Sequence, residues 1–126
     1  MGRRESMRPH RRLAVWVEER IDLVKMVYRA TQRFPREEVY GLTAQMRRSA
    51  VSVCSNIAEG AARGSRQDFA RFLNIAKGSP SELDTQIHIA MELGYLEDQA
   101  ALQAKQVEVS RLLMGLHRKI TKSLNH

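Results

Sequence analysis

Few residues in this chain are of the types, at the spacings, that chemistry requires. Asp84, His88 and Glu92 recur every four residues, which puts all three on one face of a helix, where they could hold a metal ion. The same spacing makes an exposed row of ion pairs, the commoner use of such a pattern. The Glu-x-x-His signature of di-iron bundles is missing: three residues before His88 stands Thr85, and before His117 stands Met114. Cys54 is the single cysteine, set among apolar neighbours as a buried thiol would be, and it has no partner for a disulfide. No glycine-rich phosphate loop follows a strand, because no segment alternates with period two for long enough to make one. No catalytic residue, metal or cofactor is therefore expected, and the chain reads as a non-enzyme.

Charge is the stronger signal. The 126 residues carry a net charge of +7, and Arg3, Arg4, Arg8, Arg11 and Arg12 face Glu5 alone within residues 1–12. Such a balance suits nucleic acid, an acidic protein or an anionic surface without choosing among them. The longest apolar run, Leu13 to Val17, is too short to cross a membrane and leads into Glu18-Glu19, so no membrane partner is expected. The lone cysteine and the absence of a signal segment lead to an expectation of a cytoplasmic protein.

Four periodic segments must position these residues. Residues 1–12, with Pro9 and no apolar period, read as a flexible basic arm, and residues 13–123 as one domain. Leu13, Trp16, Leu23, Val27, Ala30 and Phe34 mark the first helix, with Arg20 a polar intrusion, and Pro35 stops it. Val17, Ile21, Val24, Tyr28 and Thr31 form a second stripe, an apolar face wider than one seam needs. The second helix runs from about Leu42 to Gly60 and is rich in small residues, which lets neighbouring backbones approach closely. Ser65 to Asp68 resembles a capping box opening the third helix. Gly78-Ser79-Pro80 interrupts that helix, but the apolar spacing stays in phase across it, so one helix kinked near Gly78–Pro80 is expected. The fourth helix starts near Glu97-Asp98 and ends among Arg118, Lys119 and Lys122, charges that suit the two ends of the helix dipole. The fold class is all-α: an up-down-up-down antiparallel four-helix bundle.

That topology gathers scattered cations. The start of the first helix, the turn between the second and third, and the end of the fourth share one end of the bundle. Arg11, Arg12, Arg63, Arg66, Arg71, Arg118, Lys119 and Lys122 all fall there, facing chiefly Glu59 and Asp68. The opposite end holds Glu37, Glu38, Glu92, Glu97 and Asp98, offset by Arg33 and Arg36. An anionic polymer would be drawn to the basic end with steep salt dependence. Asn56 and Glu59 lie near the apolar side of the second helix and read as structural. Asn56 is expected to serve backbone groups freed at Gly78-Ser79-Pro80, and Glu59 to pair with an arginine such as Arg71.

The combination Phe34-Pro35, Tyr40-Gly41-Leu42, Gln45, Arg47-Arg48, Ala50-Val51-Ser52 and Ser55-Asn56-Ile57-Ala58-Glu59-Gly60 is specific. It continues with Arg63, Ser65, Phe69, Phe72-Leu73, Ile75-Ala76, Gly78-Ser79, Glu82-Leu83 and Leu93-Gly94-Tyr95-Leu96. From about Trp16 to Ile120 the chain resembles the four-helix-bundle proteins encoded in intervening sequences of bacterial 23S rRNA genes. It is also similar to their relative, the accessory variability determinant of diversity-generating retroelements. Cys54 stands where that family usually has proline, which implies a straighter second helix. The resemblance implies a homopentameric barrel and, for the retroelement relatives, binding of a reverse transcriptase and nucleic acid without chemistry by the bundle. The function expected is a non-enzymatic pentameric adaptor binding RNA or DNA through its basic end. The alternative is a protein–protein assembly module that docks an acidic protein without touching nucleic acid.

Overall fold

The computed structural model describes residues 9–97 and 99–124, with side chains from residue 18 onward. Its elements are α1 (Pro9–Thr31), a 3-10 turn (Arg36–Glu38), α2 (Leu42–Ala62), α3 (Arg66–Ala76), α4 (Gly78–Glu92) and α5 (Ala100–Leu124). No strand occurs among the described residues. The chain is all-helical, and α3 and α4 join as one bent helix, so four helical columns result. Each packs on its two neighbours: α1 on α2 and α5, and the bent α3–α4 helix between α2 and α5. The core is Leu23 and Val27 from α1, Met46, Ala50, Val53 and Ile57 from α2, Leu73, Ala76, Leu83 and Ile87 from the bent helix, and Leu102, Val109 and Leu113 from α5, each 2% exposed or less. These are the positions the three- and four-residue apolar spacing selects.

Boundaries shift where side chains redirect the backbone. Helix α1 begins at Pro9, four residues before the expected start, and ends at Thr31 instead of Phe34. Proline suits a first helical turn because its missing N–H would have no partner there. Residues 1–8 of the expected arm lie outside the described residues. At the other end of α1, the Thr31 hydroxyl turns back onto the Val27 carbonyl at 2.9 Å and accepts from Arg47 Nε at 2.9 Å. The Arg47 guanidinium also sits 4.5 Å from the centre of the Tyr28 ring, fastening α1 to α2. The connection that follows is held by Glu38, whose carboxylate accepts from the Leu42 backbone N–H and the Tyr95 hydroxyl, both at 3.0 Å. One side chain thus caps α2 and ties its start to the turn after α4. That turn is closed by Gly94 at φ +79, where a side chain would be strained, with the Tyr95 N–H on the Ala90 carbonyl at 2.9 Å.

Ser65 caps α3 as the sequence predicts, accepting from the Asp68 N–H at 3.1 Å. The bend follows from Pro80, which lacks an N–H and crowds the carbonyl four residues back. Lys77 nevertheless keeps helical angles, φ −61 and ψ −24, so the chain turns without unwinding. Neighbouring helices brace the bend: Gln106 Nε2 donates to the Pro80 carbonyl at 3.0 Å, and Ser52 and Ser79 share a 2.8 Å hydroxyl contact. Helix α5 starts at Ala100, later than the expected Glu97-Asp98, and Asp98 lies outside the described residues.

Candidate nucleic-acid interface

The basic residues are set by three stretches of chain that meet at one end of the bundle. Helix α2 finishes at Ala62, α3 starts at Arg66, and α5 runs past His117 to Leu124 beside them. Lys77 Nζ lies 3.2 Å from His117 Nδ1, which fixes the register of α5 against the bent helix and carries Arg118, Lys119 and Lys122 toward the α2–α3 turn. The first turn of α1 belongs to the same end, but the side chains of Arg11 and Arg12 lie outside the described residues.

Two of the remaining cations are partly neutralised. Arg63 donates to Glu59 at 2.8 Å along α2, and Arg71 lies 3.6 Å from Asp68 along α3. Glu59 thus pairs with an arginine, as expected, but with Arg63 instead of Arg71. Residues three or four apart on one helix meet without any help from packing, so each arginine takes the acid of its own helix. Both guanidinium groups also lie over the Phe72 ring, at 5.2 and 5.1 Å from its centre, so one aromatic side chain serves both. Arg66, Arg118, Lys119 and Lys122 are exposed and form no ion pair among the described residues. Their field therefore reaches solvent undiminished by a bound carboxylate.

Asn56 also departs from expectation. Its Nδ2 donates to the Ser52 carbonyl at 2.9 Å and the Ser52 hydroxyl at 3.0 Å, within its own helix. It touches the Gly78-Ser79-Pro80 bend only through Ser52, and Gln106 serves the Pro80 carbonyl instead. Gln106 sits on a helix distant in sequence, and its amide could meet Pro80 only once the helix packing was known.

The remaining candidates for chemistry behave as ordinary surface or core groups. His88 Nδ1 contacts the Asp84 carbonyl at 2.8 Å on an exposed face. Burial pushes the Cys54 thiol pKa up, against the pull of the nearby Arg20 charge, so the thiolate is disfavoured. Burial, and then the Lys77 charge, hold the His117 imidazole below its ordinary pKa, so it adds no charge to the basic end at neutral pH. As pH falls through the ordinary imidazole range, the unfolded chain takes up this proton before the folded chain does, and folding weakens. His117→Gln should accordingly flatten the loss of melting temperature between about pH 7 and pH 5. Parallel melting curves for the two proteins across that range would refute the assignment.

Residues 11–115 match the family described as 23S rRNA-intervening sequence protein. The chain belongs to that family. A crystal structure of a protein of unknown function from the S23 ribosomal protein family of Bacteroides thetaiotaomicron has the same fold, with a TM-score of 0.74. It is 19% identical, and the match covers 83% of this chain and 96% of that one. No curated protein matches the chain. Within the 23S rRNA-intervening sequence family match lie the α2–α3 turn, both Phe72-stacked arginines and the α2–α4 contact, whereas Arg118, Lys119 and Lys122 fall beyond its end.

Proposed function

We propose that this protein is a non-enzymatic, homo-oligomeric adaptor that binds RNA or DNA through the basic end of its bundle. The observation that carries the reading is the set Arg66, Arg118, Lys119 and Lys122, exposed at one end without an acidic partner among the described residues. Phosphate groups are the ligand such a set favours, because each contact releases a condensed counterion. Oligomerisation finds support in large apolar side chains left open on the surface of α1 and α5. Ile21 and Tyr28 on α1 are 44% and 40% exposed, and Met114 on α5 is 51% exposed. The family resemblance implies five copies, and a ring would repeat the basic end around one rim, so weak contacts add.

Titration at increasing salt with a structured RNA, a single-stranded DNA and polyglutamate tests the reading, with mass by light scattering alongside. Binding of either nucleic acid over polyglutamate, with a steep salt slope, supports it. Equal binding of all three reduces the site to charge attraction. Retention of polyglutamate alone favours docking of an acidic protein.

A further inference from the structure

A second polar feature lies away from the basic end, on the outer seam between α2 and α4. Gln45, Arg48, Ser49 and Ser52 fall on one face of α2, and Ser79, Glu82 and Gln86 on the facing side of α4; together they line a groove of about 360 Å³. That is the lower end of the size range of small-molecule sites. The helices run antiparallel, so the residues oppose one another as Gln45 with Gln86, Arg48 and Ser49 with Glu82, and Ser52 with Ser79. The serine contact of 2.8 Å closes one end. Ser49, Ser79 and Gln86 form a buried floor, and Gln86, only 8% exposed, has a carboxamide Oε1 with no hydrogen-bond partner among the described residues. Arg48 and Glu82 are exposed on opposite walls and no ion pair joins them. A donor fork and an acceptor carboxylate therefore face one groove, both open.

We propose that this groove binds an unpaired guanine base of the nucleic acid. The inference rests on the nucleic-acid reading above and adds base recognition to it. Guanine presents two acceptors, O6 and N7, on one edge, and an arginine guanidinium donates to both. Its next edge carries two adjacent donors, N1–H and the N2 amino group, which a carboxylate accepts together. Among the four common bases only guanine offers that donor pair. In a duplex those donors face cytosine, so the base must be unpaired to reach Glu82. An apolar occupant would leave the Gln86 Oε1 of the floor buried without a partner, which is unfavourable. A simple anion would meet the Glu82 carboxylate, and a simple cation the Arg48 guanidinium.

Guanosine is the direct probe, because without a phosphate it has no attraction to the basic end. Backbone amide shifts of the intact protein, titrated with guanosine, should move saturably at Gln45 to Ser52 and Ser79 to Gln86. Inosine lacks the N2 amino group and should bind about tenfold more weakly, as should adenosine. Glu82→Gln and Arg48→Gln alter exposed side chains and should remove the preference with the melting temperature unchanged. Among single-stranded oligonucleotides, one carrying a single guanine should bind about tenfold more tightly than the same strand with inosine there. Guanosine that leaves these amides unmoved, or binds no better than adenosine, or is unaffected by Glu82→Gln, overturns the proposal. If the groove fails while polymers still bind, the basic end stands alone. If guanosine binds while RNA and DNA do not, the polymer reading falls and the groove remains a nucleoside site.

Discussion

Replacing Arg66, Arg118, Lys119 and Lys122 together by glutamine should weaken binding of single-stranded nucleic acid on the order of a hundredfold at physiological salt. Each phosphate contact on a single strand contributes about 0.7 to the slope of log affinity against log salt, so losing four removes roughly 3 from that slope. At about 0.15 M salt each contact is worth close to a factor of four, so four contacts amount to roughly two hundredfold, the order of magnitude expected. These four are chosen because Arg63 and Arg71 already hold carboxylates, at 2.8 and 3.6 Å, and would give up those pairs to reach a phosphate. Exposed pairs of this kind stabilise by well under 1 kcal/mol, so Arg63 and Arg71 would add smaller increments to binding. All four replaced residues are exposed, so the melting curve should hold. The control is Arg33→Gln with Arg36→Gln at the opposite end, which lowers net charge by two but leaves the proposed contacts in place. A quadruple variant with unchanged affinity and slope, or a control that falls equally, would remove the basic end from the mechanism.

Gly60→Leu should unfold the protein most readily of the single substitutions considered, lowering stability by about 3 kcal/mol or more. In a domain of this size that corresponds to a fall of about 10 °C in melting temperature. Gly60 lies inside α2, which continues to Ala62, and a Cβ built there meets Phe72 Cβ at 2.7 Å and Phe69 Cδ1 at 3.1 Å. Phe72 Cβ is anchored to the backbone of α3 and cannot swing away, so the two helices must separate. Gly60→Ala poses two opposing effects. Helix propensity favours alanine by about 1 kcal/mol, while forcing atoms into a packed contact costs about 1–3 kcal/mol. The contact at 2.7 Å lies below any distance real Cβ atoms adopt, so the steric cost should win and Gly60→Ala should also destabilise, by less than Gly60→Leu. Thermal melts of both variants decide it; a Gly60→Ala protein more stable than the parent would show that α2 and α3 can move apart freely. Because Phe72 also underlies Arg63 and Arg71, separation here should loosen the basic end as well.

Gly60 shows where reading the chain alone stops. It reads as a helix end, yet α2 continues through it to Ala62, and it packs directly against Phe72 and Phe69 of α3. Local backbone rules favour glycine at a helix end over a helix interior, and only the approach of Phe72 explains why it stands inside α2. Glu59 and Asn56 follow the same pattern. Both read as reaching other helices, and both bond within α2, because partners one turn away are available before any packing occurs. Arg47 and Glu38 went the other way, each turning out to join separate elements through two contacts.

Four helices, the turn at Phe34-Pro35, the capped start of α3 and the bend before Pro80 could all be read along the chain, since each depends on neighbours within a turn or two. Apolar spacing likewise identified the core, because a helix has one periodicity whatever it packs against. The packed structure alone decided which acid meets which arginine, that Gln106 supports Pro80, and that Arg48 and Glu82 line one groove. Those relations depend on the rotation and register of helices against one another, and many side chains far apart in sequence set these jointly.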